Sequence, residues 1–331
     1  MTEPAPGPAR SLVSQLVQSG GGAVAAVLLY GSQLLRSRPD RHSAYDFVVI
    51  VEDYGCFYRA LRASGELPRP AWLMKAMAQV LPPNVIAFAP GEGRGEIGKC
   101  QIVSREHFQR ALGTAPRDHF MLGRLVQQVE TVWSAGPAEA AWVDEQLAGA
   151  RGGVLTWMAP YLEGPFDAEQ LGRRLLEVCY QGELRPEAKD RAETIFQAQV
   201  DHFREAFPEV LERGVAEGVL VREGVGAIGA GVLYRLASPA PPAQGRRWRR
   251  HFLRSKARAT ARWFKHMITF ANWLPYIVRK VERHSGRAIE LTPLERKLPI
   301  IFLWPRAIHV LLSRPAGTSA RDPEAGREIE P

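Results

Sequence analysis

Two short apolar runs lie near the start of the chain, "AVAAVLLY" at 23–30 and "YDFVVIV" at 45–51. Each is too short for a stable helix, and the second is rich in β-branched residues, so both read as buried strands. Only the turn Gly31-Ser32 and a short connection separate them, so they are expected to be neighbours in one sheet. Leu12, Val13, Leu16 and Val17 have helical spacing and stop at Gly20-Gly21-Gly22, and "PAWLMKAMAQVL" suggests a helix starting at Pro70. "NVIAFAP" and "EIGKCQIVS" flank "GEGRGE" and read as a strand pair joined by a Gly-rich turn. Helical stretches are expected at about 104–112 and 117–133. Strands mixed with helices in this way place the chain in the α+β class, with a mixed sheet.

From 138 to 212 the periodicity is helical, and "GVLVREG" and "GVLYRLA" then alternate as strands do. The expected organisation is a first domain over 1–137, with 1–8 a disordered leader, and a mainly helical domain over 138–237. A Pro-rich linker, "SPAPPAQG", leads into a basic region over 246–315 and a disordered tail over 316–331.

With 331 residues, 46% of them hydrophobic, the chain can bury a sizeable core, which excludes a wholly disordered protein. Its three cysteines, Cys56, Cys100 and Cys179, lie far apart and form neither a zinc-ligand pattern nor a disulfide framework. "MTEPAPGPAR" lacks the order of a signal peptide, and a reducing cytoplasm is the expected location. The apolar stretches "HMITFANWLPYIV" and "KLPIIFLWP" fall short of the roughly 20 residues that cross a bilayer. The net charge of +8 is concentrated: residues 246–284 hold twelve Lys or Arg against one acid, Glu282. A mildly acidic body therefore carries a strongly cationic segment, whose partner is expected to be anionic.

A Gly-Ser turn after one strand and an acid at the start of the next, here Asp46, is the layout in which nucleotidyltransferase folds bring backbone and hydroxyl groups to nucleotide phosphates and hold Mg²⁺ beside them. An ordinary turn and a strand-end aspartate would give the same letters. A two-metal site usually pairs acids at i and i+2, which share a strand face, but position 48 is Val48. Glu52 has the right parity but lies roughly 20 Å along an extended strand. A second ligand must come from elsewhere in the chain. "GEGRGE" has neither the lysine nor the strand-to-helix setting of a phosphate loop and reads as a hairpin turn.

"LLYGS", "YDFVVIVEDYGCFYRAL", "GKCQIVSREHFQRAL", "HFMLGRLVQQV" and "VCYQGELRPEAKDR … QVDHFREAF" occur in an order that resembles the mitochondrial-type phosphatidate cytidylyltransferases, the translocator assembly and maintenance family. The resemblance covers about residues 23–210. It implies a nucleotidyltransferase domain, a winged-helix-like helical domain and a C-terminal membrane-associating region. The implied activity transfers CMP from CTP to phosphatidic acid with Mg²⁺, giving CDP-diacylglycerol and pyrophosphate, at the inner face of the cell membrane. By the same resemblance Tyr30, Gly31 and Ser32 form the nucleotide-phosphate turn and Asp46 is the metal aspartate. Lys99 stands in for the lysine of a "KYG" motif, and Arg124 for the arginine of "GRL". Glu183 and Arg185 match "SGDFR", which makes Glu183 the candidate second carboxylate. Cys100 replaces the tyrosine of "KYG", Tyr54 stands where the family has proline, and 54–98 is less similar, departures that bear on acceptor specificity.

In the basic region Trp263, Phe264, Met267, Ile268, Ala271, Leu274 and Ile277 recur at helical spacing, and Pro275 should divide the helix. Arg258, Arg262, Trp263, Phe264, Lys265 and Trp273 are the residues expected to face an anionic membrane surface. Nucleic acid is not the expected partner, although aromatics among arginines leave open a nucleotidyltransferase acting on RNA or a small molecule. A catalytically inactive membrane-bound scaffold is the other alternative.

Overall fold

In a computed structural model of the protein, residues 7–35, 44–90, 97–181, 188–225 and 231–269 are described. The chain divides into two units, Met1–Ala271 and Asn272–Pro331, and every described residue lies in the first.

Helix α1 (Gly7–Ser19) leads to strand β1 (Val24–Tyr30), a short helical turn α2 (Ser32–Leu35) and strand β2 (Tyr45–Val51). Helices α3 (Tyr54–Ala63) and α4 (Ala71–Val80) precede the hairpin of β3 (Asn84–Phe88) and β4 (Gly98–Ser104). Helices α5 (Arg105–Leu112) and α6 (Leu122–Leu125) then lead to strand β5 (Val129–Ser134). The five strands form one sheet in the order β3-β4-β2-β1-β5, with β2 parallel to β4 and the other pairs antiparallel. This mixed α+β sheet is the expected class and is consistent with a nucleotidyltransferase-like fold.

The helical part comprises α7 (Pro137–Gly152), α8 (Val154–Met158), α9 (Ala168–Gln181), α10 (Ala188–Gln197), α11 (Val200–Ala206) and α12 (Pro208–Ala216). The hairpin of β6 (Leu220–Val225) and β7 (Val232–Leu236) follows, and then the long α13 (Pro242–Thr269). The helix therefore begins inside the stretch that reads as a Pro-rich linker. A Pro at the first helical position loses no hydrogen bond, so "PPAQG" can start a helix.

One expectation is overturned. Residues 117–133 are not a continuous helix, because Val129–Ser134, "VETVWS", is the edge strand beside β1. Its β-branched residues fit a half-buried pleated surface, and pairing with β1 outweighs the helical spacing before it. Helix α3, which periodicity did not single out, starts at a cap: the Asp53 carboxylate accepts from Cys56 N at 2.8 Å. A reciprocal Asp167–Gln170 capping box, with bonds of 2.8 and 3.0 Å, starts α9.

Alternate residues of the sheet enter two cores. Leu29, Phe47 and Val49 pack with Leu12, Phe57 and Met74 from α1, α3 and α4. Leu28, Val48, Ile50 and Val103 pack on the opposite face with Phe108, Val143 and the helical part, including Phe203, Leu211 and Trp248. Asp46 shares this second face.

Candidate functional site

Asp46 opens the second face at the end of β2, where register sets it beside Tyr30 of β1 and Lys99 of β4. The Lys99 ammonium lies 3.3 Å from the Asp46 carboxylate, and both side chains are about one-third exposed, so the pair is open to a ligand. Two residues 53 positions apart in sequence thus meet because β2 and β4 run parallel as neighbours.

Gly31 shapes the space above them. Its φ of +83° is a left-handed conformation that L side chains rarely adopt. A Cβ placed there would also stand 3.2 Å from Asp46 Oδ2. The amides of Leu34 and Leu35 close onto the Gly31 carbonyl at 3.0 and 3.1 Å, which turns the chain into α2 directly after the glycine. Ser32 is the first residue of α2 and is partly exposed. Tyr30 is buried, and its hydroxyl accepts from the Gln101 amide of β4, tying the Gly-Ser turn to the strand that carries Lys99. Gln101 is a polar residue two positions beyond Lys99 on the same strand face, the sequence signal that could have marked it.

Arg124 Nη1 donates to the Phe120 carbonyl at 2.6 Å, and its guanidinium lies 4.1 Å from the Phe120 ring centroid. Its motif partner Gly123 serves packing: a Cβ there would meet His119 Cδ2 at 3.1 Å and Cys179 Sγ at 3.2 Å. Leu125 is fully buried core. Glu183, Arg185 and Trp273 lie outside the described residues.

The sequence reading missed the contribution of α13 to this face. Burial pushes the His266 imidazole down to about 3, with the charges of Lys265, Lys99, Arg262 and Arg124 adding to the effect. His266 is therefore neutral at physiological pH. Thr269, Lys265 and Arg262 help hold that end in place: Thr269 donates to the Val85 carbonyl at 3.0 Å, Lys265 to those of Leu81 and Pro83, and Arg262 Nε to that of Pro82 at 2.8 Å.

These contacts revise the expected membrane face. Arg262 and Lys265 are buried, and Arg258 donates to the Asp118 carboxylate at 2.7 Å, so all three cations serve the body of the protein. Trp263 and Phe264 are about half exposed. Leu253 and Ile268 are exposed with them, as are Arg246, Arg247, Arg249, Arg250, Arg254 and Lys256. No helix among the described residues is long and apolar enough to cross a membrane.

Among the described residues no cluster of three or more His, Cys, Asp or Glu could hold a metal. Asp46 is therefore in no such cluster among the described residues. One partly exposed carboxylate beside a cation fits the mode in which Mg²⁺ is held by one or two carboxylates and by the phosphates of its substrate.

No protein-family model matches the chain, and no curated protein matches it in sequence. A solved crystal structure of a toxin-antitoxin with AMP-PNP is similar at 12% sequence identity and a TM-score of 0.23, over 43% of this chain and 86% of that one. The functional reading therefore rests on the residues of this chain.

Proposed function

We propose that the protein is a nucleotidyltransferase that transfers CMP from CTP to phosphatidic acid at a membrane surface. The observation that carries the nucleotidyltransferase reading is the Asp46–Lys99 pair, both side chains partly exposed, beside a glycine turn that a side chain would strain. Five motifs in the order of the phosphatidate cytidylyltransferases support the choice of substrates. The outer face of α13, with six exposed cations beside Trp263, Phe264 and Ile268, suits contact with anionic lipid.

In this reaction an oxygen of the lipid phosphate attacks the α-phosphorus of CTP. The bond to the β-phosphate oxygen breaks, and pyrophosphate leaves with that electron pair. The nucleophile is already anionic near neutral pH, so no general base is required and positioning with charge neutralisation can suffice. Lys99 neutralises phosphate charge, Gly31 leaves room for the phosphates over Asp46, and Asp46 is the residue that would hold Mg²⁺. When bound, Mg²⁺ offsets the charge on the transferred phosphate.

The test is product formation. The purified protein, Mg²⁺ and CTP with phosphatidic acid in mixed micelles should release pyrophosphate and yield CDP-diacylglycerol. No product with any of the four nucleotides and several lipid phosphates overturns the reading, and turnover on RNA ends or a soluble phosphate alone would replace the acceptor.

A further inference from the structure

Away from the Asp46–Lys99 pair, a small cavity of about 40 Å³ lies between α5, the turn before α6, and α13. Its polar lining is His107, Arg110, Arg117, Asp118, Arg258 and Arg262. A single ordered water needs roughly 10–15 Å³ of such space, so the cavity has room for one tetrahedral oxyanion.

The charges around it do not balance. Asp118 Oδ2 accepts from both Arg258 Nε and Arg262 Nη2, while Oδ1 accepts from Phe120 N at 3.1 Å. One carboxylate is therefore divided between two guanidiniums. Arg110 pairs with Glu106 on the surface of α5, and Arg117 is exposed with no acidic partner among the described residues. Four guanidiniums thus face two carboxylates.

Arg262 gives the more pointed observation. Its side chain is 2% exposed, yet Nη1 has no hydrogen-bond partner. An unmet donor on a buried cation is costly, and each of its other two nitrogens is already committed, to Pro82 O and to Asp118. His107 Nδ1 is engaged with the Tyr54 hydroxyl at 3.0 Å, so it does not satisfy Arg262. What would is an acceptor in the cavity, and the excess of guanidiniums around it favours an anion over water.

We propose that this cavity binds a phosphate-sized oxyanion, the phosphate of a monoester or inorganic phosphate, held by Arg262 Nη1 with Arg117 and Arg258 around it. Val103, which also lines the cavity, lies four residues beyond Lys99 on β4, about 13 Å along the strand. The anion is therefore a different one from any phosphate held between Asp46 and Lys99. It shares their sheet face, and the same helix, α13, borders both places. The site does not depend on the nucleotidyltransferase reading, since no nucleotide enters the argument.

Three probes test it by calorimetry on the full chain: inorganic phosphate, glycerol 3-phosphate, and short-chain phosphatidic acid in neutral micelles. Arg117→Ala is the variant of choice, because the side chain is exposed and its loss should leave the unfolding temperature unchanged. Binding of at least one probe should weaken about tenfold in that variant, the loss of roughly one charge-assisted hydrogen bond. If the two soluble probes bind as well as the lipid, free phosphate or a soluble monoester is the ligand; if only the lipid binds, it is a lipid headgroup. A structure determined with the bound probe should show it within hydrogen-bond distance of Arg262 Nη1. Failure of all three probes, binding unaffected by Arg117→Ala, or water alone beside Arg262 Nη1 would each overturn the proposal.

Discussion

Asp46 and Lys99 form an ion pair that adds little to stability, because both side chains remain about one-third exposed and solvent screens them. Loss of the pair should therefore be visible in activity and nearly invisible in folding. Asp46→Asn is expected to lower CMP transfer by at least ~10²-fold, with an unfolding free energy within ~0.5 kcal/mol of the parent. Steady-state kinetics beside urea denaturation checks both halves, and retained turnover removes Asp46 from the site. Gly31 behaves in the opposite way. Gly31→Ala forces a side chain into a left-handed φ and against Asp46 Oδ2, and should cost about 1–2 kcal/mol of stability together with most of the activity. The same two measurements read it, and an alanine variant of parental stability would mean that the turn relaxes.

At the scale of the element, α13 is a helix with two different faces. One carries Arg262, Lys265 and Thr269 onto the carbonyls of Leu81, Pro82, Pro83 and Val85, which accept from these side chains. The other presents Leu253, Phe264 and Ile268 to solvent. Lys265 makes the docking pH-dependent. Burial, with Arg262 and Arg258 adding to it, pushes its ammonium down to about 7 from the ordinary 10.5. Between those values the unfolded chain binds a proton that the folded one does not, so stability should rise with pH. A neutral amine still has two N–H groups for the Leu81 and Pro83 carbonyls. Urea unfolding at about pH 7 and about pH 9 should show this rise in the parent and its loss in Lys265→Met. An equal rise in both would assign it to other groups. Asp118 acts at the other end of the scale. Burial raises its carboxyl, but Arg262 and Arg258 more than offset this and hold it below 3.8. The stability it contributes is present above the unfolded value and is lost as pH falls through the lower folded one.

For the whole molecule, α13 decides whether the basic region is an appendage or part of the body. Trp248 is buried in the same core as Phe203 and Leu211, and the His119 ring packs 4.9 Å from Phe252 and 4.5 Å from Trp157. Truncation after Pro241 should therefore strip a wall from the core and leave Asp118 without either arginine, costing several kcal/mol, on the order of 3–5 for the broken buried pair alone. Thermal unfolding of the truncated chain measures it; a parental midpoint would show that the helix only rests on the surface. Much of this protein is legible in its sequence. Strands β1 to β4 follow from short apolar runs, the early and middle helices from spacing, and the Gly31, Ser32 and Asp46 triplet from a turn between two strands, because each depends on neighbours along the chain. Helix α3 and strand β5 are less legible, since one rests on a single cap and the other on a pairing with β1 that begins about a hundred residues earlier. What only the tertiary structure decided is where the cations of α13 go. A run of arginines and lysines without acids reads as a solvated or lipid-facing surface by charge alone. Arg262 and Lys265 turn inward because the carbonyls of Leu81, Pro82 and Pro83, in the turn before β3, and the Asp118 carboxylate lie within reach, and no pattern in the sequence brings positions about 140 to 185 residues apart together.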